Sequence, residues 1–350
     1  MIDIEKFIKK FELGNQSWSD YECYINFNTE EVKPFFNLAL KLKRKYFKNV
    51  IKIYTPGKEF PSVSVTGDQC ALSCDHCNKK FLKSMHPITS KEELKLYLLN
   101  IYRNGGNGAL ISGGCLPDGS VPLLDYIDTI REIKEETNLI INTHTGLLND
   151  NLAKKLAEAK VDIVSFDFNL DNEIIQEIYH LEKDFNDYIK ALNLLQKYNL
   201  NVIPHICIGL YYGSLHKELE SIKYLKLSGF NPSLIVLIAL IPPRGSKLKF
   251  TTPNPVDIAK IISLIRFNFP STEISLGCMR PRGNVKVEIE KLAISAGINR
   301  IEIPSKKTLK WAKRKYPNIE FEYFSACCAI PQEFEQSTQS SDHLIKKYQL

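Results

Sequence analysis

The chain of 350 residues predicts an α/β fold: a (β/α)8 barrel, preceded by a helical amino-terminal extension and followed by a carboxyl-terminal tail that folds over the barrel mouth. Three observations predict it. From Pro61 onward, short runs of strand character alternate with longer helical stretches, the pattern of parallel β/α units. Eight such units fit between residues 61 and 316, close to the ~250 residues of a complete barrel, whereas an open doubly wound sheet would need fewer strands. Hydrophobic residues make up 44% of the chain, enough to bury one large core.

Residues 1–60 read as helical and charged, with Ile4, Phe7, Ile8 and Phe11 at helical spacing and a second amphipathic run from Val32 to Phe47. They form an extension packed on the core. The barrel strands fall at 62–66, 109–112, 139–144, 162–168, 202–209, 234–240, 273–278 and 300–303. Helical stretches lie between them at 123–136, 150–159, 185–197, 216–227, 255–267 and 285–296. Residues 317–350 show no clear pattern and turn polar after Pro331, so the last fifteen or so are expected to be mobile.

The net charge of +6 is spread along the chain, which gives no warrant for a nucleic-acid partner. The apolar run from Leu234 to Ile241 is far below the roughly twenty residues that cross a bilayer, so no membrane association is expected. Nine cysteines without a secretory leader indicate a reducing, cytoplasmic setting, where thiolates serve metals more than bridges.

Cys70, Cys74 and Cys77 stand in a C-x3-C-x2-C spacing directly after the first barrel strand. Three thiolates from one tight loop can hold three irons of a cubic 4Fe-4S cluster and leave the fourth iron open for chemistry. A zinc knuckle would need a second Cys/His pair at zinc-finger distance, and none follows. In a parallel barrel, ligands sit beyond the carboxyl ends of the strands. Ser112, Gly113, Gly114 and Cys115 close the second strand there. Alternation puts Asn142 and His144, and then Ser165 and Asp167, on the interior faces of the third and fourth strands, where a ribose and an amino-acid carboxylate would satisfy them. His205 and Cys207 face inward on the fifth strand, His205 as a hydrogen-bonded interior residue. Cys278 ends the seventh strand, and the pair Cys327 and Cys328 follows the last helix. By position, Cys115, Cys278 and Cys328 are expected to hold a second, auxiliary 4Fe-4S cluster, with Cys327 as the substitute for Cys328. Arg280 beside them suits a substrate carboxylate or the negative charge of the cluster.

The triad with His76 in its penultimate slot resembles the radical SAM superfamily. From about residue 61 to 330 the chain resembles its biotin synthase-like enzymes, and most closely the archaeal, two-protein type of lipoyl synthase. The segments that carry this are residues 62–67, Ser112 to Cys115, Pro204 and His205, Ile208 to Leu210, Leu276 to Pro281, and the late cysteine pair. The chain departs from lipoyl synthases of the common type: residues 1–69 hold only Cys23, and no late Arg-Ser-Ser motif occurs.

The resemblance implies that the open iron chelates S-adenosylmethionine and that an electron from the cluster cleaves it to a 5'-deoxyadenosyl radical. It implies cofactor contacts from His76, from the Ser112-Gly113-Gly114 turn to the methionine amino group, and from Ile208, Gly209 and Leu210 beside the nucleoside. The implied reaction is sulfur insertion into an octanoyl chain, with the auxiliary cluster as sulfur source. The implied partners are an octanoylated lipoyl carrier protein or peptide, a paralogous second lipoyl synthase subunit and a low-potential electron donor. Two alternatives stay open: a biotin synthase-like enzyme of methylation, rearrangement or oxidation whose second cluster is not consumed, and a non-enzymatic iron–sulfur scaffold or redox sensor.

Overall fold

The computed structural model describes residues 3–245, 248–340 and 342–348. Its centre is one sheet of eleven parallel strands, β1 (Val50–Tyr54), β2 (Ser62–Ser64), β3 (His86–Pro87), β4 (Gly108–Ser112), β5 (Ile140–His144), β6 (Ile163–Asp167), β7 (Val202–Ile208), β8 (Leu234–Ala239), β9 (Glu273–Leu276), β10 (Arg300–Glu302) and β11 (Glu320–Phe324). The order is β11-β1-β10-β9-β8-β7-β6-β5-β4-β2-β3, so β11 and β3 are the edges and the eight predicted strands lie side by side in one run, β10 pairing with β1. All eight predicted strands are present.

Helices cover the outer face: α1 (Ile4–Glu12), α2 (Trp18–Ile25), α3 (Thr29–Phe47), α4 (Lys91–Arg103), α5 (Ile127–Glu136), α6 (Asp150–Glu158), α7 (Phe185–Lys197), α8 (Glu218–Leu227), α9 (Pro255–Asn268), α10 (Asn284–Ser295) and α11 (Lys306–Lys315). Each strand faces them with alternate residues. Ile141, Val164, Phe166, Ile206 and Leu237 join the outer core, while Ile140, Ile163, Ile203 and Leu234 form an interior layer at the strand starts. Above that layer the interior turns polar on β5 to β7, while β4 and β8 keep Leu110, Val236 and Ile238.

The amino-terminal helices act as a second coat. Phe7, Phe11, Tyr24 and Phe35 pack ring against ring and reach Phe267 of α9. This explains why α9 is buried almost all round, since a helix apolar on every face must be covered on every face. The extension is not helical throughout. Residues 50–54 form β1, which lies between β10 and β11.

The tail also differs from its sequence reading. It supplies β11, then α12 (Glu335–Thr338) and α13 (Asp342–Tyr348), with Thr338, Leu344 and Tyr348 buried and Tyr348 stacked on Tyr323. Residues 325–335 reach the barrel interior from the strand starts and do not pass over the mouth. Asn107, just before β4, donates to the Ser325 carbonyl, and Arg300, the first residue of β10, donates to the carbonyls of Cys328 and Ile330. Glu335 takes Lys52 at 2.6 Å, Arg300 at 2.7 Å and the Tyr54 hydroxyl at 2.6 Å. Buried cations and carboxylates at the strand starts thus anchor the segment, because each would be costly to bury alone. Among the described residues, no helix is long and apolar enough to cross a membrane.

Candidate iron–sulfur and S-adenosylmethionine site

A cavity of about 460 Å³ opens at the carboxyl ends of the strands. Its interior wall comes from Leu110, His144, Asp167, His205, Cys207, Val236 and Ile238, all inward positions of β4 to β8.

The cysteine triad lies in the loop after β2. Ala71 N–H donates to the Cys115 carbonyl at 2.8 Å, and Asp75 N–H donates to that of Ile178 at 2.9 Å, which fastens the loop to its neighbours. Cys77 and Asn78 N–H both return to the Cys74 carbonyl, so the second and third cysteines share one tight turn. Cys70 Sγ accepts the Cys115 N–H at 3.2 Å, and Cys74 Sγ donates to the Tyr179 carbonyl at 3.4 Å. Hydrogen bonds from the Cys115 thiol and backbone hold Cys70 down to about 5, while burial pushes Cys74 up to about 12 and Cys77 in the same direction. The Cys70 and Cys77 thiolates also raise Cys74, and Cys70 raises Cys77, so all three ionise together only around strong positive charge. A cluster held by three thiolates meets that requirement.

Gly114 explains itself here. A Cβ on it would lie 1.9 Å from the Gln69 carbonyl oxygen and 2.6 Å from Cys70 Cβ, and its N–H donates to Thr66 Oγ1 at 2.7 Å. Gly113 packs on the same threonine. Ser112 donates to the His144 carbonyl at 3.2 Å. The Ser-Gly-Gly turn is therefore the wall against which the cysteine loop is built.

His76 lines the cavity with its ring against Tyr179, centroids 5.1 Å apart. Its Nδ1 is buried without a protein partner, as is Nδ2 of Asn169, a second cavity-lining residue. A polar ligand of the size of a nucleoside would satisfy both. His144 and Asp167 line the cavity 3.8 Å apart, as alternation predicts. Asn142 and Ser165 lie deeper, fully buried and bonded to each other at 3.0 Å. Leu210 lines the cavity, and Gly209, at φ +76°, turns its N–H to Glu218 at 2.8 Å.

Three expectations change. Ile208 belongs to the outer core because alternation sends its neighbour Cys207 inward. Arg280 does not face the cavity: its buried guanidinium binds Glu290 at 2.6 Å and the Glu302 carbonyl at 2.8 Å, which ties the Gly277 loop to β10 and α10. Cys115 is brought to Cys70, whose Sγ accepts its N–H, and is not among the residues that line the cavity with Cys278 and Cys328. The second thiol set is Cys278, Cys327 and Cys328, all lining the cavity together with Glu302.

Sequence reasoning missed Glu302, Asn169, Asp171, Lys217 and Glu218 at the cavity. Asp171, 1% exposed, holds His216 at 2.5 Å and has Lys217 at 3.7 Å, which fixes charge at the rim. Glu302 had a signal, since it lies next to the carboxyl end of a predicted strand. Glu218 had none, because it stands at the start of a helix and is brought in by the turn at Gly209.

The family model of the radical SAM superfamily matches residues 64–225, the stretch that contains the triad. A biotin synthase of Buchnera aphidicola subsp. Schizaphis graminum is 26% identical over 287 residues, 77% of this chain and 78% of that protein. Among solved structures, the FeFe-hydrogenase maturase HydG of Carboxydothermus hydrogenoformans superposes with TM-score 0.68 at 18% identity, over 95% of this chain and 81% of that one. Methylornithine synthase (PylB) superposes with TM-score 0.60 at 18% identity, over 85% of each chain. With the triad and its glycine wall in the matched stretch, residues 64–225 carry a radical SAM domain and the chain is similar to biotin synthases.

Proposed function

We propose that this radical SAM enzyme is a sulfurtransferase of the lipoyl synthase type, inserting sulfur into an octanoyl chain. One observation carries the reading: a single, largely apolar cavity is reached by the triad loop through His76 and by a second thiol set, Cys278, Cys327 and Cys328. When bound at Cys70, Cys74 and Cys77, a reduced 4Fe-4S cluster supplies the electron that splits S-adenosylmethionine into methionine and a 5'-deoxyadenosyl radical. The second set suits an iron–sulfur group whose sulfide is the sulfur substrate.

The chain's own residues do the positioning. Phe81, Met85, Leu110, Val236, Ile238 and Met279 give the cavity an apolar lining that accepts an alkyl chain and excludes water. Burial pushes His144 and His205 down to about 4, so both imidazoles are neutral at neutral pH. His205 Nδ1 lies 3.0 Å from the Ile203 carbonyl, which places its ring proton there and leaves Nε2 as an acceptor. The acyl chain arrives on a lysine of a lipoyl carrier protein or peptide, and a low-potential donor reduces the first centre.

The test is anaerobic. Reconstituted, reduced protein with S-adenosylmethionine and an octanoyl-lysine peptide is expected to release 5'-deoxyadenosine and a thiolated peptide, with about one cluster's sulfide lost from the chain, and Cys70→Ala abolishes all three. Product without sulfide loss favours the biotin synthase-like alternative of methylation, rearrangement or oxidation. Absence of 5'-deoxyadenosine favours the scaffold or sensor.

A further inference from the structure

Glu302 is a buried carboxylate with an unusual set of neighbours. It ends β10, is 4% exposed, and lines the cavity beside the second thiol set. Its carboxylate oxygen and the sulfurs of Cys327 and Cys328 lie within 4.8 Å of one another. Cys328 N–H donates to Glu302 Oε2 at 3.4 Å, and Cys278 lines the same cavity. So two thiol-bearing residues gather at one acid, with the third on the same cavity wall.

Three other buried glutamates nearby are matched by cations. Glu273 holds Arg300 and Lys52, Glu335 holds Lys52 and Arg300, and Glu290 holds Arg280. Arg280 reaches Glu302 only at its backbone carbonyl. Among the described residues the Glu302 carboxylate forms no ion pair and accepts the Cys328 N–H. Thiolate sulfur and carboxylate oxygen are each metal ligands in their own right, and Cys278, Cys327, Cys328 and Glu302 line one pocket.

We propose that Glu302 is itself a ligand of the second centre, completing a three-cysteine, one-glutamate set with Cys278, Cys327 and Cys328. This rests on the reading of those cysteines as the seat of a second iron–sulfur group. Carboxylate oxygen is a harder ligand than thiolate, so the iron bound to Glu302 differs from its neighbours. The difference is spectroscopic as well as chemical, and the metal count reports it without any assay of turnover.

The experiment uses the full-length chain carrying Cys70→Ala, Cys74→Ala and Cys77→Ala, reconstituted anaerobically with ferrous iron and sulfide so that only the second centre fills. That background is expected to take up about four irons and to give an electron paramagnetic resonance signal on reduction. Adding Glu302→Gln, nearly the same shape, is expected to lower bound iron by more than half or to shift the signal. Glu302→Cys is expected to retain the iron with a shifted signal. Circular dichroism and the thermal midpoint check that each variant is folded. If folded Glu302→Gln and Glu302→Cys both match the background in iron and spectrum, Glu302 is not a ligand, although the second centre stands. If the background takes up no iron, the second centre itself is absent and the inference falls with it.

Discussion

At Gly114 a single methyl group governs a metal centre. The added carbon of Gly114→Ala would meet the Gln69 carbonyl at 1.9 Å and Cys70 Cβ at 2.6 Å. Backbone is not a neighbour that yields cheaply. The variant is expected to keep its fold by circular dichroism while first-centre iron drops by more than half; full iron occupancy would show that the loop adapts. The paired histidines carry a pH prediction. Both are held at about 4, below the ~6.5 of a free imidazole. The unfolded chain therefore takes up protons first as pH falls. The stability that these neutral rings confer is complete above about pH 6.5 and fades as pH drops toward 4. In His144→Gln the urea midpoint should depend less steeply on pH across that interval. Cys70, Cys74 and Cys77 are legible from sequence because ligands on one loop show their chemistry as linear spacing. Cys115 is not, since a strand end brings a residue to the mouth without naming its neighbour; the Ala71 N–H takes its carbonyl and turns it to Cys70. Arg280 misleads for a related reason: the carboxylate it matches, Glu290, lies ten residues on in the same chain.

Among the elements, β1 and β11 are the ones that sequence reading passes over. In β1, Lys52 interrupts an otherwise apolar run, and only the fold shows that Glu273 at 2.9 Å and Glu335 at 2.6 Å satisfy it inside the barrel. In β11 two glutamates alternate with aromatic residues on an edge, a pattern that also suits a loop. The cluster they build makes a testable element. Glu335→Ala leaves Lys52 and Arg300 short of a partner in a buried setting, and is expected to cost about 3 kcal/mol in urea unfolding. Although burial works the other way, Arg300 and Lys52 hold Glu273 below the usual glutamate value. Its contribution is thus present above about pH 4.3 and is lost as pH falls through the lower folded value. Acid unfolding monitored by tryptophan fluorescence should move to higher pH in Lys52→Met.

For the whole molecule, the central eight strands and their order are legible because parallel β/α units leave a regular alternation in the chain. The added outer strands are not, since their pairing joins residues about 270 positions apart: Val50 lies against Glu320. Truncation after residue 316 would remove β11, the Glu335 anchor and both late thiols at once. The shortened chain is expected to lose second-centre iron completely and to unfold at lower urea, whereas truncation after Ser340 should keep the metal. Retention of that metal by the shorter chain would mean that Cys278 and Glu302 bind it unaided.

Position within the sheet also sets a timetable for biosynthesis. β1 emerges early from the ribosome, yet its two hydrogen-bonding neighbours, β10 and β11, are translated last. Until then Ile51 and Ile53, both buried in the finished protein, have nowhere to go, and such exposed strands invite aggregation. A nascent chain must shelter β1 until β10 and β11 follow, which favours folding with chaperone help.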